Sequence, residues 1–137
     1  MIGYQYIESD EITNSDTISL WLTNVIKEEG KQIGELVYVL CNDEYLLEKN
    51  IQFLEHNTLT DVITFDYCED KIVNGDILIS TERVEENSTT FEVDYLTELH
   101  RVMVHGLLHL LGYKDKNEED AKTMREKENY YLNKFTN

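Results

Sequence analysis

Two spacings of apolar residues alternate along the chain and predict strands interleaved with helices. Short alternating or continuous apolar runs indicate strands, whereas apolar residues three and four positions apart indicate helices with one inward face. The predicted strands are 2–6, 32–41, 61–67 and 76–80. The predicted helices begin near Ser15, Asp43, Thr81, Val93 and Glu118. This order predicts a layered α/β or α+β domain with three or four strands and four or five helices.

The segment 93–111 is the most apolar part of the chain and predicts a buried helix. Between Val102 and Leu111 the apolar residues cover every side of the helix, so we expect a sheet and neighbouring helices to enclose it. Gly112 follows at the place where a glycine with positive φ commonly ends a helix. Farther upstream, Asn74-Gly75 predicts a turn before the strand 76–80.

Length and composition favour one domain over the whole chain, 1–137. The chain has 137 residues, no proline, and no repeat or Gly/Ser-rich linker, and this length is typical of one domain. Its longest apolar run is near 36–41, far shorter than the roughly 20 residues that a spanning helix requires. The N-terminus lacks the basic and apolar regions of a secretory signal. We therefore expect a cytoplasmic protein with no membrane partner.

The charge balance limits how the chain can bind nucleic acid. Lys+Arg number 12 and Asp+Glu number 28, a formal net charge of −16, which repels phosphate over most of the surface. Any contact with RNA must therefore be local. The candidates for a local phosphate-binding rim are Lys114, Lys116, Lys122 and Arg125. Acidic neighbours are interleaved with them, so ordinary ion pairing along a helix face is the alternative.

His105 and His109 are the first candidates for chemistry. They lie four residues apart on the predicted buried helix, so they share one face with Cβ atoms about 5 to 6 Å apart. Two imidazoles at this separation can bind one metal ion; the alternative is a pair of hydrogen-bonded core histidines. The apolar helix offers them few polar partners, and buried polar groups without partners are costly. A metal ion is therefore favoured.

Asp115 completes a three-ligand pattern. From His105 the chain has the spacing H-x-x-x-H-x-x-G-x-x-D, and Gly112 can turn the backbone so that the residue three positions later returns toward the histidines. This is the spacing of metzincin proteases, except that Gly106 replaces their Glu general base and Asp115 replaces the third His. We predict one divalent ion per chain, Zn²⁺ or another divalent metal, and no peptidase activity.

The segment 105–113, H-G-L-L-H-L-L-G-Y, resembles the signature of the YbeY family of rRNA maturation endoribonucleases. Three further segments match that family in the same order: Asn50 in its L-N-x-x-Y-R segment, 60–65 in its T-D-V-L-S-F strand, and 75–77 in its G-D-I strand. The resemblance implies a zincin-like α+β fold. In that fold a small mixed sheet packs against a buried central helix that carries the metal-binding histidines.

The resemblance also implies a function. It points to a metal-dependent, single-strand-specific endoribonuclease that acts in small-subunit rRNA 3′-end maturation and ribosome quality control. The implied partners are rRNA and the ribosomal small subunit, with a ribosomal protein or a ribosome-associated GTPase. The residues themselves support a hydrolytic metal site, because three protein ligands leave one position for a water whose pKa falls toward about 7. No protein general base is evident.

Two positions depart from the family pattern. The third ligand is Asp115 where the family usually has a histidine, which lowers the site charge by one unit and resembles the facial triad of non-haem Fe(II) enzymes. Leu54 stands where the family has an arginine suited to contact phosphate. His56, two residues later, is a candidate to replace that arginine or is a solvated loop histidine.

Two other functions stay open at this point. A metal-stabilised ribosome assembly factor without turnover is favoured by the missing arginine and the acidic surface. An Fe(II) oxygenase is supported by the two-histidine, one-carboxylate set alone. Asp61 and Asp76 begin predicted strands beside the site, where each either orients a ligand or a water or only caps its strand.

Overall fold

Strands and helices alternate along the chain, as the apolar spacing predicts. The computed structural model describes residues 1–54 and 60–136. Its strands are β1 (Ile2–Tyr6), β2 (Gln32–Cys41), β3 (Val62–Asp66) and β4 (Ile72–Ser80). Its helices are α1 (Ser15–Glu28), α2 (Asp43–Leu54), α3 (Thr81–Thr90), α4 (Tyr95–Leu110) and α5 (Glu118–Thr136). The predicted α+β class is confirmed.

The four strands form one mixed sheet in the order β1-β2-β4-β3. The pairs β1·β2 and β2·β4 are parallel, and β3 runs antiparallel to β4 at one edge. Because side chains alternate between the faces of a strand, each strand contributes to two layers. The small mixed sheet expected from the family resemblance is therefore present.

Buried apolar side chains of the described residues form two clusters, one on each face of the sheet. The larger cluster joins β-strand residues such as Tyr38 and Ile77 to α1, α4 and α5. The smaller one joins Val39 and Leu78 to Leu46 of α2. The helix α4 thus lies between the sheet and other helices, which explains its apolar residues on every side. No helix in the described ranges is long and apolar enough to cross a membrane.

The predicted turn at Asn74-Gly75 is wrong. β4 already begins at Ile72 and runs through both residues, and the chain reverses between Glu69 and Ile72, whose backbones exchange hydrogen bonds of 3.1 and 2.9 Å. The side-chain oxygen of Asn74 instead accepts the backbone N–H of Glu35 at 2.8 Å, beside an irregularity in the pairing of β2 with β4. Asn74-Gly75 is therefore part of a strand and contacts the neighbouring strand β2. The local sequence does not distinguish this role from a turn.

Candidate metal centre

The helix α4 places His105 and His109 side by side near its C-terminal end. Their Nε2 atoms lie 3.1 Å apart, and the rings meet edge to face with centroids separated by 4.7 Å. Neighbouring residues such as Val104 and Leu108 are fully buried. Because those neighbours fix the rotation of the helix, the two imidazoles face the partly exposed side of α4.

Gly112 ends α4 in the predicted manner. Its φ is +108°, its backbone N–H donates to the carbonyl of His109 at 3.1 Å, and the N–H of Tyr113 donates to the carbonyl of Leu108 at 3.0 Å. These two bonds form a Schellman cap, which satisfies carbonyls at the helix end. The chain then turns back, and Asp115 returns beside the two histidines.

A second set of contacts holds the loop that carries Asp115. The hydroxyl of Tyr113 donates to a carboxylate oxygen of Glu29 at 2.7 Å, and Glu29 also accepts from Tyr131 and from Lys127 at 3.3 Å. The loop is therefore tied to the end of α1 and to the inward side of α5. Its position does not depend on the glycine turn alone.

Three donor atoms converge at this place. One carboxylate oxygen of Asp115 lies 3.4 Å from Nε2 of His105 and 3.5 Å from Nε2 of His109. With the 3.1 Å separation of the two nitrogens, the atoms form a nearly equilateral triangle. Ligands at about 2.0–2.1 Å from a tetrahedral zinc ion are about 3.3 Å from one another. The residues present therefore fit one small divalent ion, and among the described residues they are the set that meets this requirement.

The far side of His105 contacts a carboxylate from another helix. Nδ1 of His105 lies 2.6 Å from Oε2 of Glu128, which belongs to α5 and is only 4% exposed. The other oxygen of that carboxylate accepts from Arg101 at 3.0 Å, and Arg125 lies 3.8 Å from it. Glu128 therefore joins the ligand helix α4 to α5.

The pKa values of the two histidines shift in opposite directions. Burial lowers the pKa of His105, but its hydrogen bond to Glu128 and the charges of Glu128 and Asp115 outweigh burial, so this pKa is raised. Burial and the neighbouring His105 hold the pKa of His109 below its ordinary value. The Glu128 carboxyl has a lowered pKa, since bonds from His105 and Arg101 outweigh its burial. The carboxylate is thus ionised beside the ligand pair.

A cleft of about 270 Å³ opens beside His105. Asp61 lines it together with Asn87, Glu98 and the two arginines near Glu128, and burial raises the pKa of Asp61. Asp61 thus lies in the cleft beside His105. Its carboxylate accepts a hydrogen bond from the side-chain amide of Asn87 at 3.4 Å.

Asp76 does not lie at the site. Its neighbour Ile77 points toward α4, so alternation turns Asp76 to the opposite face of the sheet, where it lines a groove with Phe65 and Leu78. The hypothesis that Asp76 orients a ligand is therefore wrong, because the strand phase directs its side chain away.

Gly106 faces the sheet and not the three donor atoms. A Cβ built there would lie 2.8 Å from Cγ2 of Ile77 and 3.5 Å from Cγ2 of Val62. A side chain at this position would meet β3 and β4 before it could approach a metal-bound water. Close packing against the sheet therefore accounts for a glycine at this position, and the absence of peptidase activity stays a prediction.

Known proteins share both sequence and fold with this chain. The sequence model of the Endoribonuclease YbeY family matches residues 4–136. Proteins named Endoribonuclease YbeY from Flavobacterium psychrophilum and Flavobacterium johnsoniae are 48% and 44% identical over 135 residues, with 98% of this chain and 96% and 97% of those proteins covered. The chain belongs to the YbeY family.

A solved structure agrees with this assignment. The solution structure of TM1509 from Thermotoga maritima superimposes with a TM-score of 0.68 at 29% identity, covering 96% of this chain and 88% of that one. The fold expected from the family resemblance is therefore confirmed over nearly the whole chain.

This chain departs from the YbeY family pattern at two positions, Leu54 and Asp115. The structure describes the side chain of Asp115 alone of the two. One carboxylate oxygen of Asp115 lies within 3.5 Å of both imidazole nitrogens, so the three side chains form a group that could hold a metal ion. The side chain of Leu54 and all of His56 lie outside the described residues. The replacement of the family arginine by Leu54 therefore stays a sequence observation.

The predicted cationic rim is largely unpaired. Lys114 and Lys116 flank Asp115, are exposed, and form no ion pair with any residue in the described ranges. The same holds for Lys122, whereas Arg125 approaches Glu128. The alternative that these lysines pair with acidic neighbours of α5 therefore finds no support in the contacts.

Glu128 was not predicted as part of the site. A signal for it exists in the sequence, since Glu128 follows Met124 by four residues and precedes Tyr131 by three, and both are buried on the inward face of α5. A carboxylate on an apolar helix face needs a buried partner. The sequence does not say that the partner is His105.

Proposed function

We propose that the chain binds one Zn²⁺ through Nε2 of His105, Nε2 of His109 and the carboxylate of Asp115. The observation that supports the proposal is the triangle of donor atoms with edges of 3.1, 3.4 and 3.5 Å. Nitrogen and carboxylate donors suit zinc, and also other divalent metals. The three side chains are partly exposed, 22%, 28% and 40%, so a water or substrate oxygen can reach the donors.

The proposed activity is that of a metal-dependent, single-strand-specific endoribonuclease in small-subunit rRNA 3′-end maturation and ribosome quality control. Membership of the YbeY family supports a nuclease, because the relatives are named endoribonucleases. The proposed partners are rRNA, the ribosomal small subunit, and a ribosomal protein or ribosome-associated GTPase. These partners would be met in the cytoplasm.

The metal site, the two exposed lysines and the loop that carries them would have separate roles in RNA cleavage. A bound zinc ion would supply a Lewis acid for a phosphoryl oxygen and a water of lowered pKa. Lys114 and Lys116 would hold RNA phosphates on either side of Asp115, because their ammonium groups are exposed and unpaired within the described residues. The Schellman cap at Gly112 and the bond from Tyr113 to Glu29 would keep the loop with these lysines in register with the histidines.

One alternative has a specific observation in its favour. The net charge of −16 is unfavourable for RNA and favours a basic protein as a partner. In that case the metal would tie the 112–117 loop to α4, and the chain would act as a ribosome assembly factor without turnover. An Fe(II) oxygenase has the donor set alone in its support.

The test measures metal content and RNA cleavage on the same samples. Wild type, His109→Ala and His100→Ala would be purified without added metal and incubated with a single-stranded oligonucleotide from the rRNA 3′ end. His100 is the matched control, since it lies on α4 but packs against Trp21 and Phe135. We expect about one zinc per chain and cleavage in wild type and His100→Ala, and loss of both in His109→Ala.

The other outcomes separate the functions. Stoichiometric metal in His109→Ala would refute the ligand assignment. Metal that depends on His109 without any cleavage would support the assembly factor. Cleavage that persists in His109→Ala would show a contaminating ribonuclease and remove the support for the enzyme.

A further inference from the structure

Glu128 is a buried carboxylate that contacts His105 on the side away from the three donor atoms. It is 4% exposed and reaches His105 from 23 residues along the chain. Its two oxygens have separate partners: Oε2 lies 2.6 Å from Nδ1 of His105, and Oε1 accepts from Arg101 at 3.0 Å. A carboxylate that served only as an ion-pair partner of Arg101 would not need the second contact.

The two nitrogens of the His105 ring have different partners. Nε2 points toward His109 and Asp115, so it must present a lone pair to bind a metal ion. A neutral imidazole has one N–H and one lone pair, and the partner of one nitrogen determines which is which. An ionised carboxylate at Nδ1 requires the N–H there.

We propose that Glu128 is a positioning residue of the metal centre, which fixes His105 in the tautomer with the proton on Nδ1 and the lone pair on Nε2. The inference rests on the proposed metal-dependent function. Arg101 holds Glu128 in this role, because it donates one N–H to the carboxylate and another to the side chain of Asn129 at 2.9 Å. Arg101 and His105 of α4 thus both contact Glu128 of α5. These contacts connect α5 to the donor triangle.

The two histidines are held in unequal ways. His109 lies at the Schellman cap of its own helix, where its carbonyl accepts the N–H of Gly112 at 3.1 Å. His105 depends on a side chain of a different helix. Displacement of α5 would therefore release His105 while the geometry of His109 is kept by the local cap.

The test is the zinc affinity of the folded protein, measured by chelator competition under native conditions. Glu128→Gln keeps the shape of the side chain and removes its charge, and Glu126→Gln is the matched control at an exposed position of the same helix. We expect Glu128→Gln to weaken zinc binding by about 10- to 100-fold, the usual effect of losing such a partner, and Glu126→Gln to leave it unchanged. A merely structural role would lower the unfolding midpoint without changing this affinity.

A second measurement needs no variant. In zinc-loaded wild type, NMR should show an Nδ1 proton of His105 that exchanges slowly with water. Zinc affinity equal to wild type in Glu128→Gln, or an Nδ1 proton of His105 that exchanges as fast in wild type as in Glu128→Gln, would overturn the inference while the metal site stands. Failure of wild type to bind zinc would instead overturn the proposed function, and with it the basis of this inference.

Discussion

RNA affinity is expected to depend only weakly on salt, because few cations surround the site. Each phosphate neutralised on a single strand releases condensed counterions, and the logarithm of the affinity then falls against the logarithm of salt with a slope of about −0.7 per contact. Lys114, Lys116 and Lys122 are the exposed rim cations without an ion pair among the described residues. They set the number of contacts at roughly two or three.

The magnitude follows from that count. Two or three contacts give a slope of about −1.4 to −2.1, so a rise from about 50 to about 200 mM salt should weaken binding about 7- to 18-fold. The double variant Lys114→Glu/Lys116→Glu removes two contacts and should reduce the slope by about 1.4. The residual slope would then be that of one contact at most.

The assay is fluorescence anisotropy with an rRNA 3′-end oligonucleotide across a salt series, with the cleavage rate followed in parallel. The control variant is Lys27→Glu/Lys49→Glu, which makes the same change of net charge on α1 and α2. It should weaken binding slightly at low salt and keep the wild-type slope.

Two results would refute the reasoning. A slope steeper than about −4 would require more phosphate contacts than the rim provides, and RNA would then bind elsewhere on the chain. Equal slopes for the rim variant and the control would show that Lys114 and Lys116 do not contact phosphate. Absence of measurable RNA binding in zinc-loaded wild type would favour the assembly factor.

Two further predictions concern the packing of Gly106 against the sheet and the pH dependence of zinc binding. Gly106→Ala brings a Cβ to 2.8 Å from Cγ2 of Ile77; overpacking costs about 1–3 kcal/mol against a gain of about 1 kcal/mol from alanine in a helix. Urea titration should show that Gly106→Ala lowers the free energy of unfolding by up to about 2 kcal/mol. The control, Thr97→Ala on the exposed side of α4, should not show this loss. An increase in the free energy of unfolding of Gly106→Ala would contradict the close contact. Zinc affinity should fall as pH is lowered from about 8 to about 6, because the raised pKa of His105 lets protons compete for Nε2 before His109 titrates. Competition titrations that show constant affinity over this range would exclude His105 as a ligand.

Several elements could be predicted because their cause is local. The pairing of His105 with His109 follows from the period of the helix, and the return of Asp115 follows from a glycine that can adopt positive φ. The buried state of α4 follows from apolar residues on all its sides. The helix period and the turn at Gly112 are local, although the loop that carries Asp115 is also held by the contact of Tyr113 with Glu29 at the end of α1.

Other features could not be predicted because they depend on distant segments. Asn74-Gly75 has the composition of a turn, yet its place in β4 is decided by contacts with β2. Asp61 and Asp76 begin predicted strands alike, but the phase of β4 turns Asp76 to the far face of the sheet.

The sequence by itself thus determined the class of the fold, the order of the elements and the three candidate donor residues, because helix period, strand alternation and glycine conformation act over a few residues. The tertiary structure alone decided which carboxylate contacts His105. Glu128 reaches Nδ1 from another helix, and only the packing of α5 against α4 brings the two within hydrogen-bond distance.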